Sequence, residues 1–137
     1  QSFVLTLKKR GGHIATDLKA DPCVIYADPL HMSNLIHNLI DNAIKYSTES
    51  PDISISTHAQ DQQFVLRIQD HGIGISKEDQ RHIFEKFYRV STGNVHNVKG
   101  FGIGLNYVAQ VVQLHHGTIE VESELGQGTT FTVMLPI

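Results

Sequence analysis

The chain has 137 residues, 40% of them hydrophobic and 18% charged, which suits one globular domain with a real core and leaves no room for a second full domain. A formal net charge of −3 excludes a basic field able to neutralise a run of nucleic-acid phosphates, so phosphate binding has to be local and a nucleotide fits better than DNA or RNA. The lone cysteine, Cys23, cannot form an internal disulfide, and no stretch reaches the roughly 20 apolar residues of a membrane span, so a cytoplasmic domain outside the membrane is expected.

Gln1 leads straight into Phe3-Val4-Leu5, the expected look of a boundary inside a longer protein. Residues 3 to 10 and 13 to 18 flank Gly11-Gly12, a dipeptide that tolerates a tight turn, which predicts a hairpin of paired strands. Asp28-Pro29 reads as an N-cap followed by proline at the first helical position, and the apolar-periodic run to Tyr46 predicts a long helix. Alternation at Ile53-Ile55-Thr57 and Phe64-Leu66-Ile68, with Asp61-Gln62 between, predicts two antiparallel strands. Ser76-Lys77-Glu78-Asp79 resembles a capping box opening a short helix through about Phe84. Periodicity vanishes from Val90 to Lys99, a polar loop, and returns as a helix over residues 103 to 115. His115-His116 stand in its last turn, where positive charge suits the dipole, and Gly117 is the expected stop. Strands around 118 to 123 and 129 to 135, joined by Glu124 to Gly128, close the chain. This order predicts an α+β fold: a two-layer sandwich whose mixed, mostly antiparallel sheet is covered on one face by about three helices and is partly solvated on the other.

At about 100° per residue, Leu35, Ile36, Leu39, Ile40, Ala43 and Ile44 fall on the core-facing half of the long helix. Asn38, Asn42 and Lys45 lie within about 60° of one another on the other half, so two amide oxygens and an ammonium converge on one ligand. Magnesium needs only one or two such oxygens beside phosphates and waters. Taken alone, such a face is usually just solvated. Asp70-His71-Gly72-Ile73-Gly74-Ile75 follows a strand; its glycines let backbone approach a planar ligand while the carboxylate accepts from an amine, although an N-capped turn has the same look. Gly100-Phe101-Gly102-Ile103-Gly104-Leu105 opens a helix, whose unpaired amides favour phosphate. It is neither a dinucleotide fingerprint, since no strand precedes it, nor a P-loop, which needs Gly-Lys-Ser/Thr.

In order, these segments resemble the catalytic and ATP-binding domain of sensor histidine kinases, within the family that includes gyrase, Hsp90 and MutL ATPases. Asn38 to Tyr46 looks like the asparagine box, Asp70 to Gly74 the first glycine box, Phe84 to Arg89 the phenylalanine box, and Gly100 to Gly104 the second glycine box. Gly126-Gln127-Gly128-Thr129 with Phe131 and Leu135-Pro136 looks like the last hairpin. The resemblance implies a single Bergerat-fold domain over residues 1–137, with an ATP lid at about 88–100. It implies that Asn42 and Asn38 hold magnesium, Lys45 contacts phosphate, Tyr46 borders the base, and Asp70 binds the adenine amine with Thr129 nearby. Gly72, Gly74 and Ile75 would shape the base pocket, and Gly100, Gly102, Gly104 and Leu105 would lie beside the phosphates. Phe84 and Phe87 would pack the lid, and Arg89 would reach the γ-phosphate. His71 stands where the family often has asparagine.

Related ATPases carry a water-activating glutamate one turn before the magnesium-binding asparagine; here that place holds Asn38, and an amide is no general base. Transfer to an imidazole needs none, which points to phosphoryl transfer onto a histidine. None of the nine histidines has the family's acceptor context of a histidine followed by an acidic residue, nor metal-ligand spacing, so no structural metal is expected. The acceptor is expected on a histidine-containing dimerisation domain of a homodimeric, membrane-bound parent sensor, with a response-regulator receiver domain as partner. A non-catalytic nucleotide-binding docking module and a protein-serine kinase of the same family are the alternative readings.

Overall fold

A computed structural model describes residues 12–18, 27–47, 51–85 and 104–137. Within them the order is β1 (His13–Leu18), α1 (Pro29–Lys45), β2 (Asp52–Gln60), β3 (Gln63–Asp70), α2 (Lys77–Gln80), α3 (Gly104–Leu114), β4 (Thr118–Glu124) and β5 (Gly128–Pro136). The strands form one sheet in the order β1-β2-β3-β5-β4. β1 runs parallel to β2, with Ile14 opposite Ile53, and every other pair is antiparallel. The sheet is therefore mixed and mostly antiparallel, with α1 and α3 packed against each other and against one face, as expected. β1 finds its described partner in β2; the strand expected at residues 3 to 10 lies outside the described residues.

Period-two alternation sets the two faces. Ile53 of β2, Leu66 and Ile68 of β3, and Phe131, Val133 and Leu135 of β5 point into the core, where Leu35, Leu39, Ala43 and Ile44 of α1 and Val108, Val111 and Val112 of α3 meet them. Each of these side chains other than Ala43 contributes about 1.5–3 kcal/mol through removal from water. The opposite face is partly solvated: Glu120, Glu122 and Glu124 are exposed, whereas Val65 and Thr132 are buried there. The β2–β3 hairpin turns on Asp61 and Gln62 at φ 52° and 62°, the paired left-handed geometry that matches strand twist.

α1 begins as its sequence predicts. The Asp28 carboxylate accepts from the N–H groups of His31 and Leu30, bonds that hold its carboxyl below the usual range. Ile36, assigned to the core by periodicity, is instead 37% exposed: the wheel gives a direction, but burial depends on what the fold places opposite.

The helix expected from Ser76 to Phe84 is shorter. Ser76 caps it by accepting from the Asp79 N–H, but after Gln80 the bonds tighten to three-residue spacing, and this turn carries Ile83 into the core and Phe84 edge-on against Phe131, 6.2 Å between ring centres.

α3 also ends differently from expectation. His116, not Gly117, takes the left-handed position at φ 61°, while Gly117 N–H reaches Val112 O at 2.9 Å and His116 N–H reaches Gln113 O at 3.0 Å. His115 does not serve as a charge on the dipole. Its Nδ1 lies 2.8 Å from Val111 O and its Nε2 3.1 Å from Asp28 N–H; a carbonyl only accepts and an amide only donates, so the neutral tautomer protonated at Nδ1 joins the end of α3 to the start of α1. Relieving the strain at the next residue, His116→Gly should raise stability by about 0.5–1 kcal/mol, read as a small rise in Tm. An unchanged or lower Tm would contradict the cap assignment.

Candidate functional site

β3 ends in a carboxylate inside the protein. Asp70 follows Ile68 on the core-facing side of the strand and is only 3% exposed. Burial pushes its carboxyl above the usual range, opposed by hydrogen bonds from the backbone N–H groups of Gly72 and Thr129 and by nearby His71; the Gly72 bond is 2.8 Å. No cationic side chain is paired with it among the described residues, so the group is an acceptor held by amides.

The chain after Asp70 is pressed against two neighbours. A Cβ on Gly72 would come within 2.1 Å of Tyr46 O, and Ile73 N–H bonds to that same oxygen at 3.0 Å, which fixes the first glycine box to the end of α1. Gly74 packs as closely on Glu124 O, and Ile75 is buried with its N–H on Ser123 Oγ at 2.7 Å. Thr129, 4% exposed, lies beside Asp70 on β5 with its hydroxyl 2.8 Å from Ser123 Oγ. The segment with Asp70, Gly72, Gly74 and Ile75 thus comes together with Tyr46 and Thr129, both distant in sequence, around one end of the core.

The second cluster lies along α1. Asn38 donates from Nδ2 to Asn34 O at 2.8 Å, which leaves Oδ1 directed at the start of α3: a Cβ on Gly104 would stand 3.1 Å from it. The asparagine box therefore meets the end of the second glycine box, where the first amides of α3 are unpaired within the helix. Asn42 is half-buried one turn further on, and Leu105 packs against the core from α3. Lys45 pairs with Asp41 at 3.0 Å, with both side chains more than a third exposed. Such a pair contributes only a few tenths of a kcal/mol, so the ammonium is readily exchanged onto a phosphate. Phe87, Arg89, Gly100, Gly102 and the lid expected at about 88–100 lie outside the described residues.

Three positioning residues escaped the sequence reading. Ser123 ties Ile75, Gly128 and Thr129 together; Gln80 donates to Ile75 O at 2.8 Å and to Ser123 O at 3.1 Å; Asn106 donates to Phe84 O at 3.0 Å, joining α3 to the phenylalanine box. Only Ser123 had a readable signal: it shares its parity along β4 with Ile119 and Val121, which face the core.

Residues 27–137 match the family described as histidine kinase-, DNA gyrase B- and HSP90-like ATPase. The sensor protein RprX of Bacteroides fragilis is 46% identical over 138 residues, covering 99% of this chain and 27% of that protein. The signal transduction histidine-protein kinase ArlS of Staphylococcus aureus is 39% identical over 119 residues, 87% of this chain and 26% of that protein. Among solved structures, the mycobacterial sensor histidine kinase MprB aligns over 98% of this chain and 89% of its own, with 26% identity and a TM-score of 0.79. The catalytic domain of histidine kinase ThkA, at 22% identity and a TM-score of 0.84 over 98% and 86%, shares the fold. The chain therefore belongs to the histidine kinase-, DNA gyrase B- and HSP90-like ATPase family. It spans about a quarter of the length of the curated relatives it matches. Among the described residues, no helix is long and apolar enough to cross a membrane.

Proposed function

We propose that this chain binds ATP with magnesium and passes the γ-phosphate to a histidine on a separate dimerisation domain of its parent sensor, from which a response-regulator receiver domain takes it. The observation that carries this reading is Asp70: a buried carboxylate held, among the described residues, by backbone amides and no cationic side chain, at the end of the core, fits a ligand amine better than any structural partner. Adenine supplies such an amine. The phosphates would run along α1 toward the first amides of α3, with Lys45 exchanging Asp41 for a phosphate oxygen.

Asn38 and Asn42 suit a magnesium ion, since each offers a neutral amide oxygen and Asn38 Oδ1 is directed at the start of α3. The ion would supply charge neutralisation on the phosphates. The protein's own part is positioning: the amide at position 38 is unable to deprotonate water, and a neutral imidazole nitrogen needs no base to attack the γ-phosphorus as the bond to the ADP oxygen breaks. Arg89 is proposed to contact the γ-phosphate, with Gly100 and Gly102 beside the triphosphate and Phe87 at the lid.

Two measurements test this. Asn42→Ala should abolish the magnesium-dependent part of nucleotide affinity while leaving the thermal melt intact; equal calorimetric affinities for variant and wild type with magnesium present would remove the metal assignment. Mixing the chain with its dimerisation domain and labelled ATP should yield an acid-labile phosphohistidine, and acid-stable label would point to the serine-kinase reading instead.

A further inference from the structure

We infer that Ser123 is a positioning residue that sets the hydrogen-bond polarity of the base pocket, orienting the Thr129 hydroxyl so that it accepts and cannot donate; the inference rests on the nucleotide reading above. The argument is one of counting protons. Ser123 Oγ has three neighbours: Ile75 N at 2.7 Å, Gly128 O at 2.8 Å and Thr129 Oγ1 at 2.8 Å. The amide can only donate and the carbonyl can only accept, so the single serine proton goes to Gly128 O and one lone pair receives the Ile75 N–H. What remains on Ser123 is a lone pair, and the Thr129 hydroxyl must spend its proton there. Thr129 therefore shows any further partner lone pairs alone.

Asp70, the cross-strand neighbour whose carboxyl takes the Thr129 N–H, is likewise an acceptor. Two buried groups on the same side of the sheet, 3% and 4% exposed, thus present only acceptors. Such a pocket selects a purine bearing an amine at position 6, directly or through a bridging water, over one bearing an oxo group, which would face lone pairs with lone pairs. Ser123 touches no ligand in this scheme; it acts through Thr129.

The test is the ratio of affinities for ATP and for ITP, its 6-oxo counterpart, measured calorimetrically with magnesium on the whole chain. Ser123→Ala frees the Thr129 proton, so the preference for ATP should fall by about three- to tenfold, the scale of one hydrogen bond. Ser123→Thr, which retains the hydroxyl, should restore it. Loss of affinity for both nucleotides in equal proportion, with the ratio unchanged, would mean that Ser123 is only structural and would overturn the inference. Should Ser123→Ala fail to fold, Thr129→Val takes its place: it removes the accepting oxygen and should lower the same ratio, and an unchanged ratio would overturn the inference equally. A wild type that binds neither nucleotide would instead dismiss the underlying ATP reading, a result distinct from either.

Discussion

Gly128→Ala should destabilise the domain by about 3 kcal/mol or more and remove nucleotide binding with it. At φ 124° an L side chain is strained, which costs about 1–2 kcal/mol, and the new Cβ would stand 2.1 Å from Asp70 O and 2.9 Å from His71 Cα. Both are backbone atoms, so the end of β3 has to shift, adding about 1–3 kcal/mol and displacing the Asp70 carboxylate. Gly126 is the internal control: it too is left-handed, at φ 81°, but a Cβ there meets nothing within 4 Å. Gly126→Ala should cost only about 1 kcal/mol and leave binding intact. Thermal unfolding of both variants checks this, at roughly 4 °C per kcal/mol for a chain of this size. Equal losses would show that the close approach to Asp70 carries no weight.

Asp70→Asn should weaken ATP binding by about 1–3 kcal/mol, the range of a charge-assisted hydrogen bond, because the amide keeps one acceptor oxygen but gives up the charge. GTP, whose six-position carries an oxo group, should compete poorly with ATP in the wild type; competition on equal terms would refute the assignment. The same carboxylate gives a pH signature. Burial raises its folded value above the ordinary 3.8, so the folded state holds the proton in a window where the unfolded chain has lost it. Its contribution to stability is fully present below pH 3.8 and is lost as pH rises through the raised value. Asp70→Asn lacks this loss. The stability of the variant relative to wild type should therefore improve as pH climbs from below 3.8 to neutrality, measured as the difference between two Tm profiles. A constant difference would mean that the carboxyl is not desolvated.

The candidate binding residues were legible because they sit in short contiguous motifs whose residue types carry the chemistry. Asp28-Pro29 announced the start of α1, period 3.6 placed Asn38, Asn42 and Lys45 on one face, and alternation at Phe64-Leu66-Ile68 marked β3, which Asp70 follows. Turn chemistry at Asp61-Gln62 marked the β2–β3 hairpin.

Tertiary structure decided what those local signals met. That β1 joins β2 in parallel, that Ile36 is left uncovered, that α2 stops at Gln80 and that His116 rather than Gly117 takes the left-handed position all depend on partners distant in the chain. So does the polar support of the site. Ser123 reads only as a polar residue on the core-facing side of a strand, its partners unknown, until register sets it against Ile75, Gly128 and Thr129, and His115 reads as a helix-end charge until its ring meets Asp28, 87 residues away. Local pattern is dictated by backbone geometry, which repeats every two or 3.6 residues and can be counted along the chain. A hydrogen bond between distant groups has no period. It exists only where packing brings donor to acceptor within about 3 Å, and that depends on the whole fold at once.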